Sequence, residues 1–267
     1  MKFLFILLLS FTTSSFAQEV SKFSIGDRIT MHSEVLDEER ILNVYLPQNY
    51  AADSSKTYPV IYLLDGSANE DFIHIAGLVQ FGSFSWINMV PESIVVGIEN
   101  VDRTRDFTGE TRDSLHKAEY PQMGGSTQFT HFLNTEVFAY IESNYRTTRE
   151  RTIIGQSLGG LLATEILMKH PEMFSNYIII SPSLWFDYES YLDLEMKDSD
   201  ANLKVYVGVG EEGKVMKMGA KKLRKKLKKD LKESDQLYWG FFKENDHGDV
   251  LHLAVYDAFE NMFGAED

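Results

Sequence analysis

The sequence predicts an α/β fold, a mostly parallel central sheet flanked by helices on both faces. Three observations predict it. Short runs of Val, Ile, Leu and Tyr recur along the chain and are continuous rather than alternating, as in strands buried on both faces. Helix-forming stretches separate them, the rhythm of β–α–β units. No internal repeat or low-complexity linker interrupts the series, so residues 18–267 fit one domain of ordinary size.

The elements follow in order. Residues 1–17 hold one lysine, a short apolar run and small residues at Ser15 and Ala17, the pattern of a secretory signal peptide cut before Gln18. The mature chain is therefore expected in the periplasm or outside the cell. No later apolar run is long enough to span a bilayer, so no stable membrane insertion is expected. Glu39 to Leu46 reads as a strand and Pro47 to Tyr50 as a turn. Tyr58 to Leu64, ending in Asp65-Gly66, and Ser93 to Ile98 read as buried strands. Residues 100–126 are polar and lack a clear period, suggesting a lid or specificity loop. A helix is expected from about Thr127 to Tyr145, a strand around Thr152 to Ile154 and a helix from Leu158 to Met168. Strands over Tyr177 to Ile180, Leu203 to Val209 and Leu237 to Phe242 precede a last helix from about Asp249 to Phe263.

One motif carries chemistry. Gly155-Gln-Ser157-Leu-Gly159 lies between a β-rich run and a helix, where a serine can stand on a sharp strand-to-helix turn with its hydroxyl above the sheet. Such a serine is a nucleophile candidate if an acid and a histidine follow. Of the seven histidines, His247 alone lies in a loop after the last strand and before the last helix, so it is the general-base candidate. The acid is expected after the preceding strand, where Glu211 and Glu212 stand side by side; the sequence leaves the two open. Asp246 and Asp187 are lesser candidates. Leu158, directly after the serine, and Ser67 or Gly66, after the strand ending at Leu64, are the oxyanion-hole candidates. A metal is not expected, because His247 and His252 have poor ligand spacing, and no other cofactor is called for.

Composition narrows the partners. The formal charge is −14, which argues against nucleic acid. Residues 214–232 oppose it locally, with ten Lys or Arg against the single Asp230: +9 there and −23 elsewhere. Leu223, Leu227 and Leu231 recur every four residues, so this segment is read as a solvated helix packing its leucines on the sheet. There is no cysteine and hence no disulfide framework. Trp185, Trp86, Phe84, Phe107 and Tyr120 could form an aromatic cleft, with Arg103 and Arg105 meeting an anionic substrate.

Taken together, these residues resemble the Putative esterase family of the α/β-hydrolases, and within it the siderophore-esterase-like (enterochelin-type) branch, related to feruloyl and acetyl carbohydrate esterases. The matching stretches are Tyr58-Pro-Val-Ile-Tyr-Leu-Leu-Asp-Gly66, Gly97 to Asn100 with Arg103 to Thr108, Thr152 to Gly160, Ser181-Pro-Ser-Leu-Trp185, the strand to Gly210-Glu211, and Asp246-His247-Gly248. The resemblance implies an α/β-hydrolase fold and a serine esterase acting on a small-molecule ester, with Ser157 as nucleophile, His247 as base, and Leu158 and Ser67 donating to the oxyanion. Two positions depart from the branch: Gly213 replaces a frequent second Glu, and Gly109 replaces a frequent Pro. Two other readings use the same residues, an acyltransferase with the same triad and a non-catalytic binding protein on the same fold.

Overall fold

The computed structural model describes residues 19–264. The expected signal peptide and its cut before Gln18 lie outside the described residues. One eight-stranded sheet organises the chain. Its strands are β1 (Asp27–Ser33), β2 (Glu38–Tyr45), β3 (Tyr58–Leu63), β4 (Ile94–Ile98), β5 (Thr147–Gln156), β6 (Asn176–Ile180), β7 (Lys204–Gly210) and β8 (Gln236–Phe242). Their spatial order is β1-β2-β4-β3-β5-β6-β7-β8. β1 and β2 run antiparallel to their neighbours, whereas β4 to β8 form a continuous parallel block. The mostly parallel sheet expected from the buried runs is the one observed.

Helices cover both faces. α1 (Phe72–Gly82) and α8 (Val250–Phe263) pack on one, burying Ile75, Val79, Ala254 and Phe259 against Ile61, Val95, Ile154 and Ile178. The other face carries α2 (Arg103–Phe107), α4 (Ser126–Phe132), α5 (Phe138–Asn144), α6 (Leu158–Lys169) and α7 (Gly213–Asp230), with α3 (Ser114–Glu119) at the surface. Successive residues of β3 alternate between the two cores: Val60 and Tyr62 face the second, Ile61 and Leu63 the first. That explains why its sequence is apolar throughout.

The structure refines the expected elements. The helix expected over Thr127–Tyr145 forms as α4 and α5 joined through one π-helical turn, Leu133–Val137. Residues 100–126 are not one open loop. α2 and α3 lie within them, and Asp106, Phe107, Thr108 and Thr111 are buried. β1 and α1 were not legible. In β1 the apolar signal is confined to Ile29 and Met31, which pack inward among charged and polar neighbours. In α1 the outward-facing Ile73 and Phe81 mask the period of the buried stripe. α7 buries Leu223 and Leu227 together with Gly219 and Ala220 and turns most of its lysines to solvent. Among the described residues no helix is long and apolar enough to cross a membrane.

The chain order sets the location of the site. From β3 the connection through α1 leads to β4 on one side, while β5 lies on the other. The crevice beyond the carboxyl ends of β3 and β5 is thus a topological switch point, the usual ligand position in an open α/β sheet.

Candidate active site

The nucleophile candidate stands at the end of β5, where the strand turns into α6 within one residue. Ser157 takes φ 60° and ψ −119°, a strained conformation for a residue with a side chain. Gly155 permits the turn, because a Cβ there would lie 2.4 Å from the carbonyl oxygen of Gly159. The serine's backbone is held firmly. Its N–H donates to the carbonyl of Ile180 at 3.1 Å, and its carbonyl accepts from the amides of Leu161 (2.9 Å) and Ser183 (3.0 Å). The Ser157 hydroxyl lies 3.2 Å from that of Ser183, in the turn after β6.

His247 occupies the loop between β8 and α8. Asp246 shapes this loop: its carboxylate accepts from the Gly248 N–H at 2.7 Å, and its own N–H donates to Asp249 at 2.8 Å. Gln156 Nε2 donates to the His247 carbonyl at 2.7 Å, joining the loop to the strand that carries Ser157. The imidazole is 46% exposed, and its Nδ1 lies 2.6 Å from Oε2 of Glu212, whose side chain is 1% exposed. The other oxygen of Glu212 accepts from the Gly210 N–H at 2.9 Å and from the Ser181 hydroxyl. Burial acts to raise the Glu212 pKa, but the hydrogen bonds from His247, Ser181 and Gly210 outweigh it and hold the carboxyl below its ordinary value. A buried anion on Nδ1 favours the tautomer that leaves Nε2 free to take a proton.

The two adjacent glutamates differ completely. Glu212 meets the imidazole, whereas Glu211 is exposed and pairs with Lys217. Asp187 is also elsewhere. It accepts from the Arg112 N–H at 2.6 Å and the Thr111 hydroxyl at 3.2 Å, fastening residues 111–112 to the segment after β6.

The oxyanion candidates also separate. The N–H of Gly66 donates to the carbonyl of Ile98 at 3.0 Å and is not available to a ligand. Glycine is required there by crowding, since a Cβ would approach Gly97 Cα to 2.3 Å. The amides of Ser67 and Leu158 have no acceptor among the described residues. They stand at the ends of neighbouring strands, β3 and β5. The turns are packed together: the Cβ position of Gly159 is 3.4 Å from both Leu64 Cβ and Asp65 Oδ2.

Other expectations are corrected. Arg105 faces Glu38 (2.6 and 2.9 Å) and Asp106 (2.7 Å), a network that includes the fully buried Arg40, so its charge is already paired within the protein. Arg103 forks onto Asp65, with Nε to Oδ1 at 2.6 Å and a terminal nitrogen to Oδ2 at 2.9 Å. Phe107 is buried in the core against Phe129. Phe84 and the 75%-exposed Trp86 stack in the loop before β4, at the opposite end of the parallel strands, beside a groove of about 770 Å³. Trp185 is part-exposed directly after the Ser181–Ser183 turn, edge-on to His116 at 5.7 Å. Sequence reasoning missed the roles of Gln156, Ser181 and Ser183. All three lie in stretches that matched the family, which was the signal that could have found them.

Comparison with known proteins gives a consistent picture. The family model described as "Putative esterase" matches residues 33–238. The ferri-bacillibactin esterase BesA of Bacillus subtilis is 31% identical over 171 residues, 60% of this chain and 59% of its own length. An IroE-like serine hydrolase from Shewanella oneidensis superposes with a TM-score of 0.81 at 30% identity, covering 91% of this chain and 82% of that one. The BES protein from Bacillus cereus gives 0.82 at 25% identity, covering 96% and 100%.

Proposed function

Because the chain belongs to the Putative esterase family, with an α/β-hydrolase fold, we propose that it is a serine carboxylic ester hydrolase working through an acyl-enzyme on Ser157. The observation that carries this reading is the 2.6 Å pair between buried Glu212 and His247, tied through Gln156 to the strained turn of Ser157. His247 Nε2 takes the serine proton as Oγ attacks the ester carbonyl, and Glu212 stabilises the imidazolium. The amides of Leu158 and Ser67 donate to the tetrahedral oxyanion, an interaction worth about 2.7–4 kcal/mol per donor. The imidazolium then protonates the departing alkoxide. Water activated by His247 releases the acid and regenerates the serine.

The substrate we propose is a siderophore-type ester. The relative named for ferri-bacillibactin supports it, and Trp185 offers an aromatic surface beside the catalytic turns. Export by residues 1–17 belongs to the same proposal.

Replacing Ser157 by Ala should abolish hydrolysis of a p-nitrophenyl ester and labelling by a fluorophosphonate, with the circular dichroism spectrum unchanged. Turnover retained by the variant would refute the mechanism. Parallel hydrolysis of a tricatecholate trilactone and a feruloyl sugar reads the substrate class; preference for the sugar would overturn the siderophore assignment.

A further inference from the structure

We propose that Arg103 is a positioning residue that sets the oxyanion pocket by clamping its two turns to each other, rather than a substrate ligand. The inference rests on the esterase reading above.

The two amides available to an oxyanion belong to different segments. Ser67 follows β3 through the turn at Asp65, and Leu158 follows β5 through Ser157. Their spacing is therefore not fixed by one piece of backbone. The sheet sets it only up to the strand ends, through the Leu64 N–H to Ile154 carbonyl bond at 3.0 Å. Beyond that point both turns leave regular geometry: Asp65 has φ 55° and Ser157 φ 60°. Direct packing of Gly159 on Leu64 and Asp65 brings the turns together, and strained backbone of this kind persists where the surroundings over-determine it.

Arg103 is placed to do this. Its Nε and one terminal nitrogen grip both oxygens of Asp65, at 2.6 and 2.9 Å. The same terminal nitrogen reaches the carbonyl of Gln156 at 3.3 Å, the residue immediately before the nucleophile. One guanidinium thus touches the first turn through a carboxylate and the second through a backbone carbonyl. Asn100 Nδ2 donates to Asp65 Oδ1 at 2.6 Å and fixes the carboxylate from a third side. The planar fork is what the arrangement uses, because a lysine offers a single nitrogen and no rigid bidentate geometry to match the carboxylate while also reaching the carbonyl. The clamp is itself supported from below. Arg103 opens α2, whose N-cap Asp102 accepts from the Arg105 N–H at 2.9 Å, and its guanidinium lies 5.5 Å over the buried ring of Phe107.

The expected consequence is selective. Loosening the clamp shifts the Ser67 and Leu158 amides relative to each other, and a donor displaced by about 1 Å can lose as much as 10²-fold in rate. Ground-state binding depends less on that spacing.

The test compares wild type with Arg103→Lys, Arg103→Ala and Asn100→Ala on a p-nitrophenyl ester. Inhibition by a trifluoromethyl ketone that adds to the serine is measured alongside. We expect kcat to fall about 10–100-fold in the two Arg103 variants with KM within about twofold. The ketone's Ki should rise in step with the loss of kcat/KM, and added guanidinium should restore part of the activity of Arg103→Ala. Asn100→Ala, a milder change, should show a smaller effect in the same direction if the arginine variants do not fold. A raised KM at unchanged kcat would identify Arg103 as a substrate ligand and overturn the proposal. So would a lowered melting temperature with kcat and Ki unchanged. Fluorophosphonate labelling of the wild type separates the two levels: an unlabelled wild type refutes the esterase reading and with it the clamp, whereas a labelled, active wild type with insensitive variants refutes the clamp alone.

Discussion

At the scale of single residues, the acid turns on a one-residue step. Glu211 and Glu212 follow β7 as neighbours, and neighbouring side chains leaving a strand point in different directions. The sequence narrowed the acid to this pair but could not choose between them, because the choice depends on the path of the chain from Gly210 into α7. In the fold, the Glu211 N–H donates to Asn245 at 2.7 Å, and the next side chain turns inward to Ser181 and His247. Glu212→Gln keeps the shape but removes the anion and favours the wrong imidazole tautomer. We expect kcat for a p-nitrophenyl ester to fall by about 10²–10⁴-fold. Glu211→Gln should leave kcat within about twofold; equal losses in both variants would refute the assignment. Ser157 and His247 were legible because their neighbourhoods are local: a glycine-flanked turn and a loop between the last strand and helix. Arg103 and Arg105 were legible as cations, but not their partners Asp65 and Glu38, which arrive from 38 and 67 residues away.

At the scale of elements, α1 and α8 meet at a titratable contact. His74 Nδ1 and His252 Nε2 are 2.6 Å apart, and Asp71, the residue preceding α1, lies 3.7 Å from His252. Burial, followed by the charges of Asp65 and Glu70, raises Asp71 from 3.8 to about 6. The folded state therefore holds this proton more tightly than the unfolded chain, so the contribution of Asp71 to stability falls as pH rises from about 4 to about 6 and stays reduced above. Asp71→Asn should raise the urea unfolding free energy by about 1–3 kcal/mol at pH 8 and leave it nearly unchanged at pH 3.5. An equal gain at both pH values would show that charge is not the cause. Another element-scale departure has a reason in the fold. At Gly109, where the family resemblance led to an expected proline, the N–H donates to the Tyr191 hydroxyl at 2.8 Å, and a Cβ there would also lie 2.8 Å from that oxygen. A proline would remove the donor and crowd the tyrosine.

At the scale of the molecule, the parallel block and its helical covers follow from continuous apolar runs, and these were readable. Strand order was not, since β3 and β4 share a similar composition and only the assembled sheet puts β5 beside β3. The oxyanion turns meet because of that order. The leader predicted at residues 1–17 also belongs to this scale: expression of the whole chain in a Gram-negative host should yield a periplasmic product whose mass corresponds to a start at Gln18. A cytoplasmic product retaining Met1 would refute export. The Gln156 side chain, bonded to the carbonyl of His247, has a mechanical consequence for the assembled molecule. The base, carried on the loop between β8 and α8, is thereby hitched to the end of β5, the strand that delivers the nucleophile. Its second tether is the imidazole's contact with Glu212, whose carboxylate is anchored to β7 and to the turn after β6. A loop near the edge of the sheet thus takes its position from β5, β6 and β7 at once.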